Sequence, residues 1–263
     1  MSLPTKAIEK FVYIVRDLPN RQIFDREVFN ILSIKPPQNL TIFDVGCHYG
    51  ESIKRFLTLF NGCRIHSFEP DIIPYNLVKD RYKDQTNISI YNFGIGAHDG
   101  TNSFHKCLVP GNSSFNKILE SSKWAKQRAS IYGVRPSELM KTIENVPIRS
   151  LDSFAIENDI KYVDFIKLDV EGWEDQCIKG CHNLLTNRKV GIIQLELITT
   201  QIRQHGISID DIKKMLPKNN FDYFSRRHKQ IPFTSSPEVF ELLLVNKNFP
   251  NYNKKAISKR HWI

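Results

Sequence analysis

From Leu40 onward the chain alternates short apolar runs with amphipathic stretches. "LTIFDVG" precedes a helical pattern from Gly50 to Phe60, "CRIHSFEP" one from Ile72 to Tyr82, and "ISIYNFGIG" closes the first half. Further on come "VDFIKLDVEG", a helix from Trp173 to Leu185, "VGIIQLEL", a helix from Ile209 to Leu216, and two closing strands, "FDYFSR" and "VFELLLVNK". Strand runs alternating with helices imply βαβ units, right-handed crossovers and a mainly parallel sheet. The expected fold class is therefore α/β and doubly wound.

Two regions break the alternation. Residues 1–39 carry helical spacing at Ile8, Phe11, Val12, Val15 and Leu18, then Phe24, Val28, Phe29 and Leu32, and "KPPQN" ends them. They are expected to form an N-terminal helical extension to a domain spanning 40–250. Residues 101–147 hold "LVPGNSSFNK", a polar helix-like piece from Lys123 to Ile131 and "GVRPSEL" where one crossover would suffice. Insertions at the carboxyl ends of strands border the ligand crevice, so this one reads as substrate-facing, with a plain surface insertion as the alternative. Residues 251–263 form a basic tail.

Composition narrows the picture. The 263 residues are 41% hydrophobic and 25% charged, as in globular proteins. No apolar run nears the roughly 18 residues that span a bilayer. The start, "MSLPTKAIEKFVYIVRDL", lacks a secretory leader pattern, so a cytoplasmic, reducing location is expected. Five scattered cysteines form no disulfide framework. Cys177 and Cys181, beside His182, could share a helical face for a metal, but buried helix cysteines are the simpler reading. The net charge of +9 is concentrated in "RRHK" at 226–229 and in the tail, which could grip nucleic acid or be a solvated face.

The stretch "IFDVGCHYGES" occupies the strand-to-helix turn where such folds hold ligands. Its Gly46-x-x-x-Gly50 spacing is neither the dinucleotide fingerprint nor the lysine-ended phosphate loop, so a pyrophosphate cradle is disfavoured. Asp44 precedes the first glycine and could orient the loop and meet an amine. Glu69, ending the second strand, could accept hydrogen bonds from both ribose hydroxyls. An adenosine with a cationic amino-acid tail and no phosphate satisfies both acids, which points to S-adenosyl-L-methionine, with S-adenosyl-L-homocysteine as product.

"FDVGCHYGES", "FEP" at 68–70, "NFGIGAHDG" from Asn92, "SSF" at 113–115, "RSLDSF" from Arg149 and above all "DFIKLDVEGWE" at 164–174 together resemble the FkbM-type methyltransferases, over roughly 41–247. The resemblance implies a class I methyltransferase, Rossmann-like, with a seven-stranded sheet. The cofactor contacts then expected are Asp44, Gly46, Cys47, His48, Tyr49, Gly50 and Ser52 in the turn, Glu69 and Pro70 at the ribose, Asn92 and Phe93 by the adenine, and Asp169. Cys47 and His48 stand where the family usually has a small residue and asparagine, and Ile53 where it has serine.

Methyl transfer is an in-line displacement, and a hydroxyl acceptor must also lose its proton. Asp169 and Glu171 lie near the end of the fourth parallel strand and would point the same way if the strand continued. Asp169 is the favoured base, with a structural acid as the alternative; Glu171 could instead hold the turn. Glu196 on the fifth strand could pair with Asp169 or share a divalent cation, although no metal site is predicted. His48 is a further candidate base, or only a spacer. Asn112, Ser113 and Ser114, with the rings of Phe115 and Trp124, suit a sugar, and the resemblance implies O-methylation of a sugar in a glycan or glycosylated small molecule. The competing readings are a nucleic-acid methyltransferase, for which the Asn/Asp-Pro-Pro-aromatic signature is lacking, and a non-catalytic nucleoside-binding module.

Overall fold

The computed structural model describes residues 28–32, 37–109, 111–198, 208–218, 220–227 and 239–249. Seven strands form the main sheet. They are β1 (Thr41–Val45), β2 (Arg64–Phe68), β3 (Ile88–Tyr91), β7 (Val163–Leu168), β8 (Val190–Ile198), β9 (Phe221–Arg227) and β10 (Val239–Asn246), in the order β3-β2-β1-β7-β8-β10-β9. The first five are mutually parallel, and β10 runs antiparallel to both β8 and β9. The order reverses between β1 and β7, so their carboxyl ends diverge into a crevice.

Helices cover both faces. On one lie α1 (Glu51–Leu59) and α2 (Ile72–Arg81); on the other, α4 (Leu151–Glu157), α5 (Glu174–Lys179), α6 (His182–Thr186) and α7 (Ile209–Met215). The pleat divides β1 between them: Ile42 packs with Ile53 and Phe56 of α1, while Phe43 and Val45 pack with Phe154 of α4. All six residues of β7 are buried, as a central parallel strand covered on both sides requires. Of the expected N-terminal extension, 28–32 is helical and seats Val28, Ile31 and Leu32 on the α1 side of the core. The rest of 1–27, residues 228–229 of "RRHK" and the tail 251–263 lie outside the described residues.

The structure departs from the sequence expectations in three places. "ISIYNFGIG" is split: β3 stays in the main sheet, whereas β4 (Gly94–Ile95) joins β5 (Gly100–Cys107) and β6 (Met140–Arg149) in a second sheet of order β4-β6-β5. The region expected as an insertion thus has its own sheet, its own helix α3 (Lys123–Tyr132) and its own apolar cluster around Val109, Ile118, Trp124 and Leu139. The expected helix 173–185 breaks in two at Gly180, where an added Cβ would lie 2.0 Å from the carbonyl oxygen of Gly96, so the backbones meet with no room for a side chain. The helix α4, capped by Ser150 Oγ accepting from the Ser153 amide at 3.1 Å, was not anticipated.

Candidate active site

Parallel register places two polar rows across the α1-side face of the sheet. Ser67, Asp44, Lys167 and Gln194 are consecutive Cα partners on β2, β1, β7 and β8. One pleat further toward the carboxyl ends come Glu69, Asp169 and Glu196, the last directly opposite Glu241 of β10. Lys167 and Gln194 of the first row and all of the second line a cleft of about 650 Å³, of a size suited to a small organic ligand.

Asp44 is fully buried: its Oδ2 accepts from Ser52 Oγ at 2.6 Å and Ser67 Oγ at 3.3 Å, and Lys167 Nζ stands 3.8 Å from Oδ1. Burial raises its pKa despite that ammonium. Expected to reach an amine on a ligand, Asp44 instead lies beneath the cleft and does not line it. Lys167, which the sequence reading passed over, is its internal cation. The same ammonium donates to Asp169 Oδ2 at 2.9 Å, joining the buried row to the rim. A lysine inside the strand run "VDFIKL", two residues before Asp169, was the signal that could have found it.

The glycine turn is fixed by the neighbouring strands. Gly46 has φ +81°, and a Cβ there would sit 2.0 Å from the Asp169 carbonyl oxygen; only glycine lets the two strand ends approach this closely. Gly50 (φ +82°) turns the chain into α1 without lining the cleft. Cys47, His48, Tyr49 and Ser52 do line it. The Cys47 thiol is buried and its pKa is pushed well up by that burial. His48 has φ +47°, its amide donates to Glu69 Oε2 at 2.8 Å, and its ring lies against Tyr49 with centroids 4.1 Å apart. Glu69 also takes the Asp71 amide at 2.9 Å on Oε1, and burial raises its pKa to about 7. Pro70 lines the cleft beside it.

Asn92 and Phe93 do not line the cleft. Asn92 Nδ2 donates to the carbonyls of Glu69 and Pro70 at 3.0 and 3.2 Å, so it braces the Glu69 corner from behind. Phe93 packs among Phe68, Tyr91 and Phe154. The chain turns away into the second sheet directly after them, which brings Gly94 and Ile95 to the cleft instead.

Asp169 is half-buried and lines the cleft, as do Glu171 and Glu196. β7, however, ends at Leu168, and Glu171 adopts φ +58° in the turn that follows, so the alternation expected to align it with Asp169 is interrupted. That turn is held by Glu174, whose wholly buried Oε1 accepts from the amides of Gly172 at 3.1 Å and Val170 at 3.3 Å; burial pushes its pKa up to about 7.

The second sheet latches onto the same turn. Ser114 Oγ donates to the Val170 carbonyl at 2.8 Å and Asn116 Nδ2 to that of Gly172 at 2.7 Å. Phe115 lies between Phe104 and Trp173 and covers Gly94, where a Cβ would fall 2.2 Å from its ring. Ser113 Oγ accepts from the Cys107 amide at 3.0 Å. Asn112, Ser113 and Ser114 all line the cleft, but both serine hydroxyls are engaged within the protein, and Trp124 is buried under α3. Across the cleft mouth, Lys106 Nζ pairs with Asp71 Oδ2 at 2.7 Å, tying β5 to the start of α2. Among the described residues, no group of three or more His, Cys, Asp or Glu side chains could hold a metal ion, and all five cysteines are buried thiols. No helix among them is long and apolar enough to cross a membrane.

Comparison with known proteins gives this geometry a lineage. The 2-O-methyltransferase NoeI of Sinorhizobium fredii (strain NBRC 101917 / NGR234) is 24% identical over 192 residues, 73% of this chain and 76% of that protein. Among solved structures, the METTL16 MTase domain matches 88% of this chain and 69% of its own at 11% identity and a TM-score of 0.48. The precorrin-6y C5,15-methyltransferase from Geobacter metallireducens GS-15 matches 84% and 87% at 12% identity and a TM-score of 0.43. The profile of the methyltransferase FkbM domain matches residues 44–223, from the buried aspartate of β1 into β9. The chain belongs to the FkbM-domain methyltransferases.

Proposed function

We propose that the protein is an S-adenosylmethionine-dependent O-methyltransferase acting on a sugar hydroxyl. The observation that carries this reading is the placement of Asp169 at the open carboxyl end of β7, at the switch point of the sheet, opposite a wall built by the second sheet. The name of the 2-O-methyltransferase relative supports the choice of oxygen as acceptor.

The residues present fit the cofactor. The Gly46–Ser52 turn offers a close backbone approach at the amino end of α1, and the Glu69 carboxylate, held by two amides, faces the cleft for a ribose. Cys47, His48, Tyr49 and Pro70 would flank it, while Asp44, Gly50, Asn92 and Phe93 act from behind by shaping the turn and the Glu69 corner. When bound, S-adenosylmethionine supplies an electrophilic methyl on a sulphonium. Asp169, oriented by Lys167, receives the proton of the acceptor hydroxyl; His48 and Glu196 stand on the same cleft as alternative acceptors. The latch of 113–116 on the 170–172 turn sets the distance between acceptor wall and base.

The test is incubation with isotopically labelled S-adenosylmethionine and a panel of mono- and oligosaccharides, with an RNA and a DNA oligonucleotide as separate arms, with and without chelator. Label recovered as a sugar methyl ether supports the proposal. Label in the oligonucleotides alone would refute it.

A further inference from the structure

The cleft contains cations as well as acids, and most of them are matched. Lys167 is answered by Asp169 and Asp44, and Lys106 by Asp71. Arg128 differs. It projects from α3 of the second sheet's insertion into the cleft lining. Its guanidinium lies over the ring of Trp124, one helical turn earlier, with Cζ 5.7 Å from the ring centroid. Its Nε is buried and makes no hydrogen bond, and the side chain forms no ion pair with any carboxylate among the described residues. Holding a guanidinium partly desolvated without a counter-charge costs free energy, and its planar fork suits a carboxylate or phosphate oxygen pair. Trp124 is fixed in the cluster under α3, so the ring under the guanidinium is rigid and the cation is held in place before any ligand arrives.

From this we infer that Arg128 is a specificity residue for an acidic acceptor: the sugar whose hydroxyl is methylated carries an anionic oxyacid group, a carboxylate or a phosphate. The inference rests on the hydroxyl-methylation reading above and names the acceptor's class. The anion binds the guanidinium on the second-sheet wall, which turns the sugar's hydroxyls toward Asp169 on the opposite rim. The cofactor's own carboxylate is the competing partner for Arg128, and the test separates the two.

Binding is measured by calorimetry with S-adenosylhomocysteine present, for glucose, glucuronate and glucose 6-phosphate, on the wild type and on Arg128→Gln. A charge-assisted pair of this kind corresponds to about tenfold tighter binding or more. Wild-type protein is expected to favour at least one acid over glucose by that factor, and Arg128→Gln to abolish the preference while its affinity for glucose and for S-adenosylhomocysteine stays within about twofold. Which acid gains identifies carboxylate or phosphate. Equal binding of all three sugars by the wild type overturns the inference, and so does a loss of S-adenosylhomocysteine affinity in Arg128→Gln equal to the loss for the acids, which assigns the guanidinium to the cofactor. Acid selectivity without methyl transfer to any sugar would refute the methylation reading and leave the anion site standing.

Discussion

At the residue scale the decisive group is Lys167, because one ammonium serves two carboxylates of different kind. Asp44 is wholly enclosed, with the hydroxyls of Ser52 and Ser67 and this ammonium as its nearest partners, whereas Asp169 is half-exposed on the rim. Replacing Lys167 by methionine takes from buried Asp44 its nearest cation, a loss of about 3–5 kcal/mol for a broken buried pair; chemical denaturation should show it. Asp169→Asn retains the shape and the hydrogen bond capacity of the rim but cannot take a proton. It should lower kcat by about 100-fold or more with the denaturation midpoint nearly unchanged, and S-adenosylmethionine affinity, read by calorimetry, should hold. Unchanged turnover in Asp169→Asn would remove it as the base and leave His48 or Glu196. Glu69→Ala tests the other acid: cofactor binding should be lost with the circular dichroism spectrum intact, and normal affinity would refute the ribose assignment.

At the scale of elements, the alternating pattern of apolar runs was enough to read the doubly wound sheet, and each expected strand of the main sheet is present. What the pattern could not reveal was where one strand stops being useful to the sheet. "ISIYNFGIG" reads as a continuous strand because nothing local marks the step from β3 to β4; the cause is distant, in Phe115 covering Gly94 and Gly180 abutting Gly96. Likewise, Glu69 and Asp169 were legible from their places at strand ends, but Lys167 and Gln194 gain meaning only from register, which joins residues more than a hundred positions apart. The serines of "SSF" suggested ligand contacts by composition, yet their partners are protein groups. This yields a prediction for the latch. Asn116→Leu strands the buried Gly172 carbonyl, costing about 1–3 kcal/mol. Hydrogen exchange should then quicken in 100–116 and 168–174 together and leave β2 and β3 unaffected; exchange confined to one of the two segments would show that they are not coupled.

At the scale of the whole molecule, buried ionisable groups set the pH range in which the fold is most stable. Burial raises the carboxyl pKa values of Glu69 and Glu174 to about 7, and that of Asp44 upward as well. Each therefore keeps its proton in the native state to higher pH than in the unfolded chain. For Glu69 and Glu174 the contribution is fully present below the ordinary carboxylate range and is lost as pH rises toward 7, by up to about 3 kcal/mol each; Asp44 acts in the same direction. His66 acts in the opposite sense. Enclosed by Phe43, Tyr91 and Phe154, it is lowered to about 4, so the unfolded chain takes up a proton first and stability falls as pH drops from about 6.5 toward 4. Between about pH 4.5 and 6.5 two raised carboxyls outweigh one lowered imidazole, so the unfolding free energy is predicted to peak near about pH 4 and to decline toward neutral pH. Urea denaturation across about pH 3–8 measures it, and two variants separate the contributions. Glu174→Gln keeps an acceptor for the Gly172 and Val170 amides but has no proton to lose, so it should flatten the decline toward about pH 8 while matching the wild type below about pH 4. His66→Phe keeps the ring packing and gives up the 3.1 Å contact with the Tyr91 hydroxyl, so it should lower the curve slightly and steepen its decline between about pH 4 and 6.5, leaving the slope above that range unchanged. An alkaline limb that Glu174→Gln leaves unchanged would mean that its carboxyl is already ionised in the native protein, with the Gly172 and Val170 amides offsetting the cost of burying the charge.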